Sequence, residues 1–301
     1  MKNKYLISIS GPTAIGKTAL SIVLANAFDC EIISCDSRQF FKEMKIGTAV
    51  PEPEELAQAK HHFIQHISIF DAYSVGKFEM DALAKLNELF QTKDYVIMVG
   101  GSGLYERAVI AGLDYFPDVD KTVRETLNKE LEIQGIEVLQ KELRDVDIET
   151  YNKMDIANPH RLVRALEIYR GTGQTYSSFL NKPKAKRPFK TIKIGLEADR
   201  PLLYERINKR VDIMMDKGLL EEAKALYPHK AINALQTVGY RELFSYFEGD
   251  FTLDFAISEI KKNSRRFAKR QGTWYRKDES IKRFDFKADY KEIVAYVRNI
   301  D

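Results

Sequence analysis

Residues Gly11-Pro12-Thr13-Ala14-Ile15-Gly16-Lys17-Thr18 fit the pattern G-x-x-x-x-G-K-[ST]. In that pattern the glycines let the backbone curl so that its N–H groups converge on phosphate oxygens. Lys17 adds a point charge, and the Thr18 hydroxyl can bind Mg²⁺. A helix starting at Lys17 points its positive end at the same anion. The pattern reads polyphosphate rather than ATP in particular. The second element of a hydrolase is missing: the run Tyr95–Val99 ends in Gly100-Gly101, where a Mg²⁺-binding Asp would usually stand. No Asn-Lys-x-Asp guanine-reading motif occurs. An ordinary ATPase or GTPase is therefore disfavoured, and a small-molecule kinase stays open. A second reactive group is Asp36, within Cys35-Asp36-Ser37-Arg38-Gln39. A carboxylate there can hold Mg²⁺, act as a general base or cap a helix N-terminus.

The elements that must position these groups alternate. Tyr5–Ser10 (YLISIS) is a short apolar, β-branched run broken by Gly-Pro, which reads as a buried strand. Residues 17–28 carry Leu20, Val23, Leu24 and Ala27 at helical spacing, and 31–34 form a second strand. Residues 51–56 start a helix, 78–90 form an amphipathic one, and Tyr95–Val99 make a third strand before a glycine turn that opens another helix. Such alternation predicts a parallel sheet with helices on both faces. Ligands in such sheets sit at the carboxyl ends of strands, which places Asp36 beside the phosphate loop. Strand signals stop from about 114 to 187, where 120–170 is charged and helical. They resume at 191–196 and end with 281–286. The expectation is a phosphate-loop α/β core of five parallel strands, built from 1–113 and 190–301, with a helical insertion over 114–189. The basic stretch 184–193, with Pro183 and Pro188, reads as the return linker.

Composition sets the bounds. The chain has 301 residues, with 44% hydrophobic and 30% charged, ordinary values for a globular protein. It has two cysteines, Cys30 and Cys35, too few for a Cys-type zinc site or a disulfide framework. The apolar start is too short for a signal peptide and no apolar run reaches membrane length, so a cytoplasmic protein is expected. Basic residues number 47 and acidic ones 44, a net charge of +3 that by itself argues against a nucleic-acid partner. The sum conceals a local excess. Residues 261–287 hold 11 basic and 3 acidic side chains, +8, which leaves −5 for the rest. Within 254–275, Ile257, Ile260, Ser264, Phe267, Ala268, Gln271 and Trp274 share one helical arc. Lys261, Lys262, Arg265, Arg266, Lys269 and Arg270 share the other half. Surface helices normally mix signs, so this half reads either as a phosphate-facing stripe or as a solvated face.

The motifs taken in order resemble the tRNA dimethylallyltransferases, also called tRNA isopentenyltransferases. Gly11-Pro-Thr-Ala-x-Gly-Lys-Thr18, Asp36-Ser-x-Gln39, Ile46-Gly-Thr-Ala49, His61-His62 and Tyr73-Ser-Val75 carry the first part. Gly100-Gly-Ser-Gly-Leu-Tyr105, Asn158-Pro-His-Arg161, Ala165-Leu-Glu167 and Gly218-Leu-Leu-Glu-Glu222 follow. Gly239-Tyr240, Ala268-Lys-Arg-Gln271 and Thr273-Trp274 complete it. The resemblance spans nearly the whole chain. It implies transfer of a five-carbon unit from dimethylallyl diphosphate to N6 of the adenine just 3′ of the anticodon, in tRNAs reading codons that begin with U. It implies Mg²⁺ as cofactor, the tRNA anticodon stem-loop as partner, no membrane, and a monomer. The diphosphate would then be held by Gly11 to Thr18 (Gly11, Pro12, Thr13, Ala14, Ile15, Gly16, Lys17, Thr18), with Thr18 on the metal and Arg206 or Arg210 closing over it. Asp36 would take the N6 proton, and the Ser102 hydroxyl would orient the amine or a diphosphate oxygen. Asp36, Ser37, Arg38, Gln39, Ser102, Arg124, His160, Arg161, Leu162, Val163 and Arg164 would grip the RNA, with Arg266, Lys269 and Arg270.

The chain departs from the family pattern at Ile15, Arg38, Ser102, His160 and Gly272, none of which removes a catalytic group. The zinc-finger extension of eukaryotic members is missing. Adjacent His61 and His62 point to different sides and do not share one ion; they read as structural or tRNA-facing. Phe40-Phe41 either stacks on a base or packs in the core. Three competing readings are an isopentenyltransferase on free adenine nucleotide, a small-molecule kinase and a non-catalytic tRNA-binding module.

Overall fold

The computed structural model describes residues 3–182 and 185–300. The chain divides into two compact units, 1–111 with 187–301, and 112–186. The expected insertion, 114–189, differs from this by two residues at its start and three at its end.

The first unit is built on six strands: β1 (Tyr5–Ser10), β2 (Ile32–Ser34), β3 (His61–His62), β4 (Tyr95–Val99), β5 (Lys190–Glu197) and β6 (Lys282–Asp285). All pairings are parallel, in the order β3-β2-β4-β1-β5-β6. The five expected strands are therefore six. The addition, β3, is two residues long at the sheet edge, too short to leave a periodic signal. The linker expected over 184–193 gives way to strand at Lys190; Pro183 and Lys184 lie outside the described residues.

Every residue of β1 is buried, because both faces of a parallel sheet are covered. On one face Ile7, Ile9, Ile97 and Ile194 pack against Leu20 and Leu24 of helix Lys17–Ala27. On the other, Leu6, Ile33, Val96 and Met98 pack against Phe78 and Leu86 of helix Val75–Leu89. Each such side chain contributes roughly 1.5–3 kcal/mol by leaving water. Phe40 and Phe41 belong to this economy: both are buried, Phe40 stacked on Phe78 with ring centroids 5.1 Å apart. The base-stacking alternative for that pair is thereby ruled out. A third cluster, centred on fully buried Tyr240, Met44, Leu235 and Leu243, joins helices Leu219–Leu226, Tyr240–Phe247 and the first half of Leu253–Arg276.

The second unit contains helices Lys121–Gln134, Ile136–Val146, Ile148–Lys153 and Pro159–Thr172, then a 3₁₀ turn at Tyr176–Phe179. Leu127, Leu139, Leu143, Leu162 and Leu166 form its core. Arg170 ties two of these helices to its own by pairing with both Glu130 and Glu142.

Candidate active site

The phosphate loop leaves β1 at Gly11, whose φ of 145° and crowding forbid a side chain. A Cβ there would lie 2.8 Å from the Leu196 carbonyl oxygen. Gly16, at φ 110°, then turns the backbone into helix Lys17–Ala27. The Lys17 ammonium donates to the carbonyls of Gly11 (2.9 Å) and Pro12 (2.8 Å), so it lies folded over its own loop. Burial pushes its pKa down to about 8; Asp36 opposes that shift and the Arg210 cation adds to it. Arg206 Nε donates to the Ala14 carbonyl (2.8 Å), and an Arg210 amine donates to the Thr13 hydroxyl (3.3 Å). Both arginines thus rest on the loop.

Asp36 follows β2, where the Cys35 N–H donates to the Val99 carbonyl (2.8 Å). The end of β2 and the end of β4 can approach this closely because of Gly100 and Gly101. A Cβ on Gly100 would lie 2.6 Å from the Cys35 carbonyl carbon, and one on Gly101 would lie 3.0 Å from Asp36 Oδ2. The glycine pair, which occupies the place of a hydrolase Asp, is what makes room for Asp36. Asp36 Oδ1 accepts the Arg38 N–H (3.1 Å), so the carboxylate closes a tight turn rather than capping a helix. The Ser102 hydroxyl accepts the Ser37 N–H (3.1 Å) and lies 2.9 Å from the Ser37 hydroxyl. It therefore braces the Asp36 turn as well as facing the cavity beside it. Arg38 turns its guanidinium onto the carbonyls of Asn233 and Ala234. Gln39 donates to the carbonyls of Thr48 and Ala49 (3.2 and 2.9 Å). Neighbouring Cys35 is buried and its thiol is held well above its ordinary pKa, chiefly by desolvation, so it is not a ready thiolate.

Two residues with no role in the sequence-based expectation hold this site together. Gln271 stands on the largely apolar arc of helix Leu253–Arg276, which it shares with polar Ser264, and its spacing alone does not mark its partners. Its carbonyl oxygen accepts the Thr13 N–H (2.9 Å), and its amide donates to the Gly101 carbonyl (2.8 Å). One side chain therefore links the phosphate loop to the glycine turn facing Asp36. Glu222 accepts N–H groups from Lys45, Ile46 and Gly47 (3.0, 2.8 and 2.9 Å) and the Tyr240 hydroxyl (2.7 Å). The Tyr240 ring leaves no space for a Cβ on Gly47. Three separate motifs of the sequence, around 46–49, 218–222 and 239–240, thus meet in one anchor.

These elements enclose two cavities. One, of about 780 Å³, is lined by Thr13 to Thr18, Ser34, Asp36, Thr48, Arg206, Lys209 and Arg210, with Ile213 and Met214 as apolar wall. The other, of about 520 Å³, is lined by Asp36, Ser37, Arg38, Ser102, Tyr105, Arg241, Phe267, Arg270 and Trp274. Asp36, Thr13, Thr48, Arg210 and Met214 line both.

The cationic half of helix Leu253–Arg276 is less uniform than its sequence implies. Lys261 pairs with Asp212 on the neighbouring helix and Lys262 with Glu259 one turn earlier. Arg265 bonds the Asn208 side chain (2.7 Å), and Arg266 that of Asn263 (3.3 Å). Lys261 and Lys262 are thus neutralised by carboxylates, whereas Arg265 and Arg266, bonded to neutral amides, keep their charge along with Lys269 and Arg270. His61 Nδ1 lies 2.8 Å from the Ala59 carbonyl and His62 Nε2 lies 2.6 Å from Glu31, so the two rings serve different partners.

The second unit gathers its own expected residues. Asn158 caps helix Pro159–Thr172 by accepting from His160 and Arg161 N–H groups. Arg124 and Arg164 both grip Glu167, and His160, Arg161 and Arg164 line a cavity of about 650 Å³. Leu162 and Val163 are buried and serve the core.

The family model described as IPP transferase matches residues 39–278. The chain is 60% identical over 300 residues to a tRNA dimethylallyltransferase of Flavobacterium johnsoniae, covering 98% of this chain and 97% of that protein. Its fold is similar to the crystal structure of a full-length tRNA isopentenylpyrophosphate transferase from Bacillus halodurans (TM-score 0.73, 35% identity, 99% and 95% of the two chains). It is also similar to a eukaryotic dimethylallyltransferase solved acting on tRNA (TM-score 0.79, 27% identity, 99% and 78%).

Proposed function

The chain belongs to the IPP transferase family, and we propose that its two cavities bring a prenyl diphosphate and an RNA base together at Asp36. It is a transferase that prenylates tRNA. It moves a dimethylallyl group from dimethylallyl diphosphate to N6 of the adenine just 3′ of the anticodon, in tRNAs reading codons that begin with U. The observation that carries this reading is that Asp36 lines both the phosphate-loop cavity and the cavity edged by Arg241, Arg270 and Trp274.

The backbone N–H groups of the loop, Lys17, Arg206 and Arg210 grip the diphosphate, and Ile213 and Met214 offer the five-carbon tail an apolar wall. Lys17 swings from its own loop carbonyls to the phosphate oxygens. The adenine, unstacked from its loop, enters the second cavity. The N6 lone pair then attacks the allylic carbon next to oxygen. The carbon–oxygen bond breaks and its electron pair leaves with the diphosphate, whose new charge meets preorganised donors. The N6 proton passes to the Asp36 carboxylate.

For Mg²⁺ the residues present fit. The Thr18 hydroxyl lines the diphosphate cavity, and Mg²⁺ usually takes one or two protein oxygens with phosphate and water, which leaves the Asp36 carboxylate for the proton. Among the described residues no cluster of three or more His, Cys, Asp or Glu side chains forms a cage. Bound there, the ion would neutralise charge on the departing oxygen. His160, Arg161 and Arg164 of the second unit, with Arg124, extend the RNA grip, and the enzyme works as a cytoplasmic monomer. Among the described residues no helix is long and apolar enough to cross a membrane. Transfer to free adenine nucleotide and phosphoryl transfer from ATP are not favoured, given relatives named for tRNA. The test is Asp36→Ala: tRNA binding survives while transfer falls by at least about 100-fold, the usual scale of general-base loss. Near-normal turnover would remove Asp36 from the role.

A further inference from the structure

Glu106 is a buried acid that the prenyl-transfer reading leaves idle. It stands on helix Gly103–Ala111, just after the glycine turn that faces Asp36, and is only 8% exposed. The Ser8 hydroxyl of β1 donates to its Oε1 (2.5 Å). The titratable and charged groups around it come from four elements. Tyr275 and Asp278 lie at the end of helix Leu253–Arg276 and just beyond it, Lys193 is on β5, Cys35 follows β2 and Lys17 belongs to the phosphate loop. Lys193 is taken up by Asp278 at 2.6 Å, and burial pushes the Glu106 carboxyl above its ordinary range. Tyr275 connects this acid to Asp36. It lies one turn beyond Gln271 on the same helix, is 9% exposed, and lines both the Asp36 cavity and a neighbouring one of about 980 Å³. Glu106 lines that neighbouring cavity too, with Asp278 and Glu279. Among the described residues the Tyr275 hydroxyl completes no hydrogen bond. The acids around it are Glu106, Cys35 and Asp36, and Glu106 is the acceptor it approaches.

We propose that Tyr275 and Glu106 carry the N6 proton from Asp36 into this neighbouring cavity and so reset the base for the next turnover. The proposal rests on the prenyl-transfer reading of the Asp36 site. In that reading a diphosphate and an adenine fill the two cavities that Asp36 lines, so neither offers the proton a way out. A carboxyl sealed from water keeps its proton, because a charge without water or a partner is costly. The cavity shared by Tyr275 and Glu106 is a separate route. Asp36 gives its proton to the Tyr275 oxygen as the phenol gives its own to the Glu106 carboxylate, a small turn of the ring completing each bond. The phenol ends neutral, as it began. Glu106 then releases the proton to water in the larger cavity. One proton enters the relay and one leaves it, and no electrons are exchanged. An acid raised towards neutral pH both accepts and releases a proton readily. Neither residue touches the reacting atoms, and both act through Asp36.

The test separates the first turnover from those that follow. Tyr275→Phe removes a hydroxyl that bonds nothing, and Glu106→Gln keeps an acceptor for Ser8, so both variants should unfold in urea much as the native protein does. With enzyme in excess over an anticodon stem-loop RNA, one round of transfer should run within about threefold of the native rate in both, because Asp36 starts as a carboxylate. In steady state kcat should fall at least about 10-fold, a modest share of the usual effect of proton transfer, with KM for RNA and for dimethylallyl diphosphate little changed. Product should then appear as a burst of one per enzyme followed by slow turnover. Formate, small enough to enter the larger cavity, should restore steady turnover to Glu106→Ala and not to Tyr275→Phe. A steady-state kcat near the native value in Tyr275→Phe or Glu106→Gln overturns the proposal and leaves the prenyl-transfer reading intact. Loss of the first round along with the later ones also overturns it, since the two residues would then merely shape the Asp36 site. Glu106→Ala that formate does not restore removes Glu106 as the acceptor and overturns the relay. No transfer at all by the native protein would overturn both readings.

Discussion

Replacing Gln271 by leucine removes the one side chain that joins the phosphate loop to the glycine turn before Ser102. Leucine nearly conserves the volume but offers neither acceptor nor donor. The Thr13 N–H and the Gly101 carbonyl, bonded at 2.9 and 2.8 Å, are then left without partners at a position where Gln271 is only 5% exposed. Each orphaned buried group costs about 1–3 kcal/mol, so the variant should lose about 2–6 kcal/mol of stability. The catalytic effect is separable. Thr13 lines the phosphate-loop cavity, and Gly101 faces Asp36 at a spacing that no side chain would fit. If the strut sets the distance between leaving group and base, its loss should lower kcat/KM by about 100-fold, the usual cost of a shift near 1 Å. Urea unfolding measures the first quantity. Steady-state transfer to a stem-loop RNA, well below the unfolding midpoint, measures the second. Gln271→Asn, whose shorter amide reaches one partner but not both, should fall between. A leucine variant that loses the expected stability but keeps kcat/KM within about threefold of wild type would refute the positioning argument. One that loses no stability would refute the hydrogen-bond argument beneath it.

Glu222→Ala strips three backbone donors and a phenol of their shared acceptor. It should cost at least about 3 kcal/mol in denaturant unfolding and raise KM for dimethylallyl diphosphate, because residues 45–50 line that cavity. The free Lys17, pushed down to about 8 mainly by burial, is cationic below that pH and neutral above it. The kcat/KM for dimethylallyl diphosphate should therefore fall as pH rises through about 8. In Lys17→Arg whatever activity remains should lack that limb; an unchanged limb would assign it to another group. Chelation of divalent metal should abolish transfer while leaving RNA anisotropy unchanged, and transfer that persists in chelator would remove Mg²⁺ from the account.

The sequence was most legible where local geometry is demanding. The glycines and lysine of the phosphate loop have few other uses in that order, and the apolar run of β1 has few other places to lie. Asp36 was legible because it follows a strand directly. Long-range anchoring was not. Gln271 and Glu222 act on backbone groups that are 258 and about 176 residues away along the chain, and nothing in local spacing marks such a pairing. Edge strand β3 escaped because two residues carry no periodicity. The pairing of Lys261 was not legible because its partner Asp212 lies on a different helix. Arg38, a departure from the family pattern next to Asp36, has its guanidinium on the Asn233 and Ala234 carbonyls, a long-range pairing that no local spacing marks.

The central claim is that Asp36 stands between a prenyl diphosphate and an RNA adenine. Its most direct measurement is mass spectrometry of an anticodon stem-loop after incubation with the purified protein, dimethylallyl diphosphate and Mg²⁺. The account predicts one five-carbon unit on N6 of the adenine 3′ of the anticodon, one diphosphate released per transfer, and neither product with Asp36→Ala. Unmodified RNA with the native protein, or full modification by the Asp36→Ala variant, would contradict it.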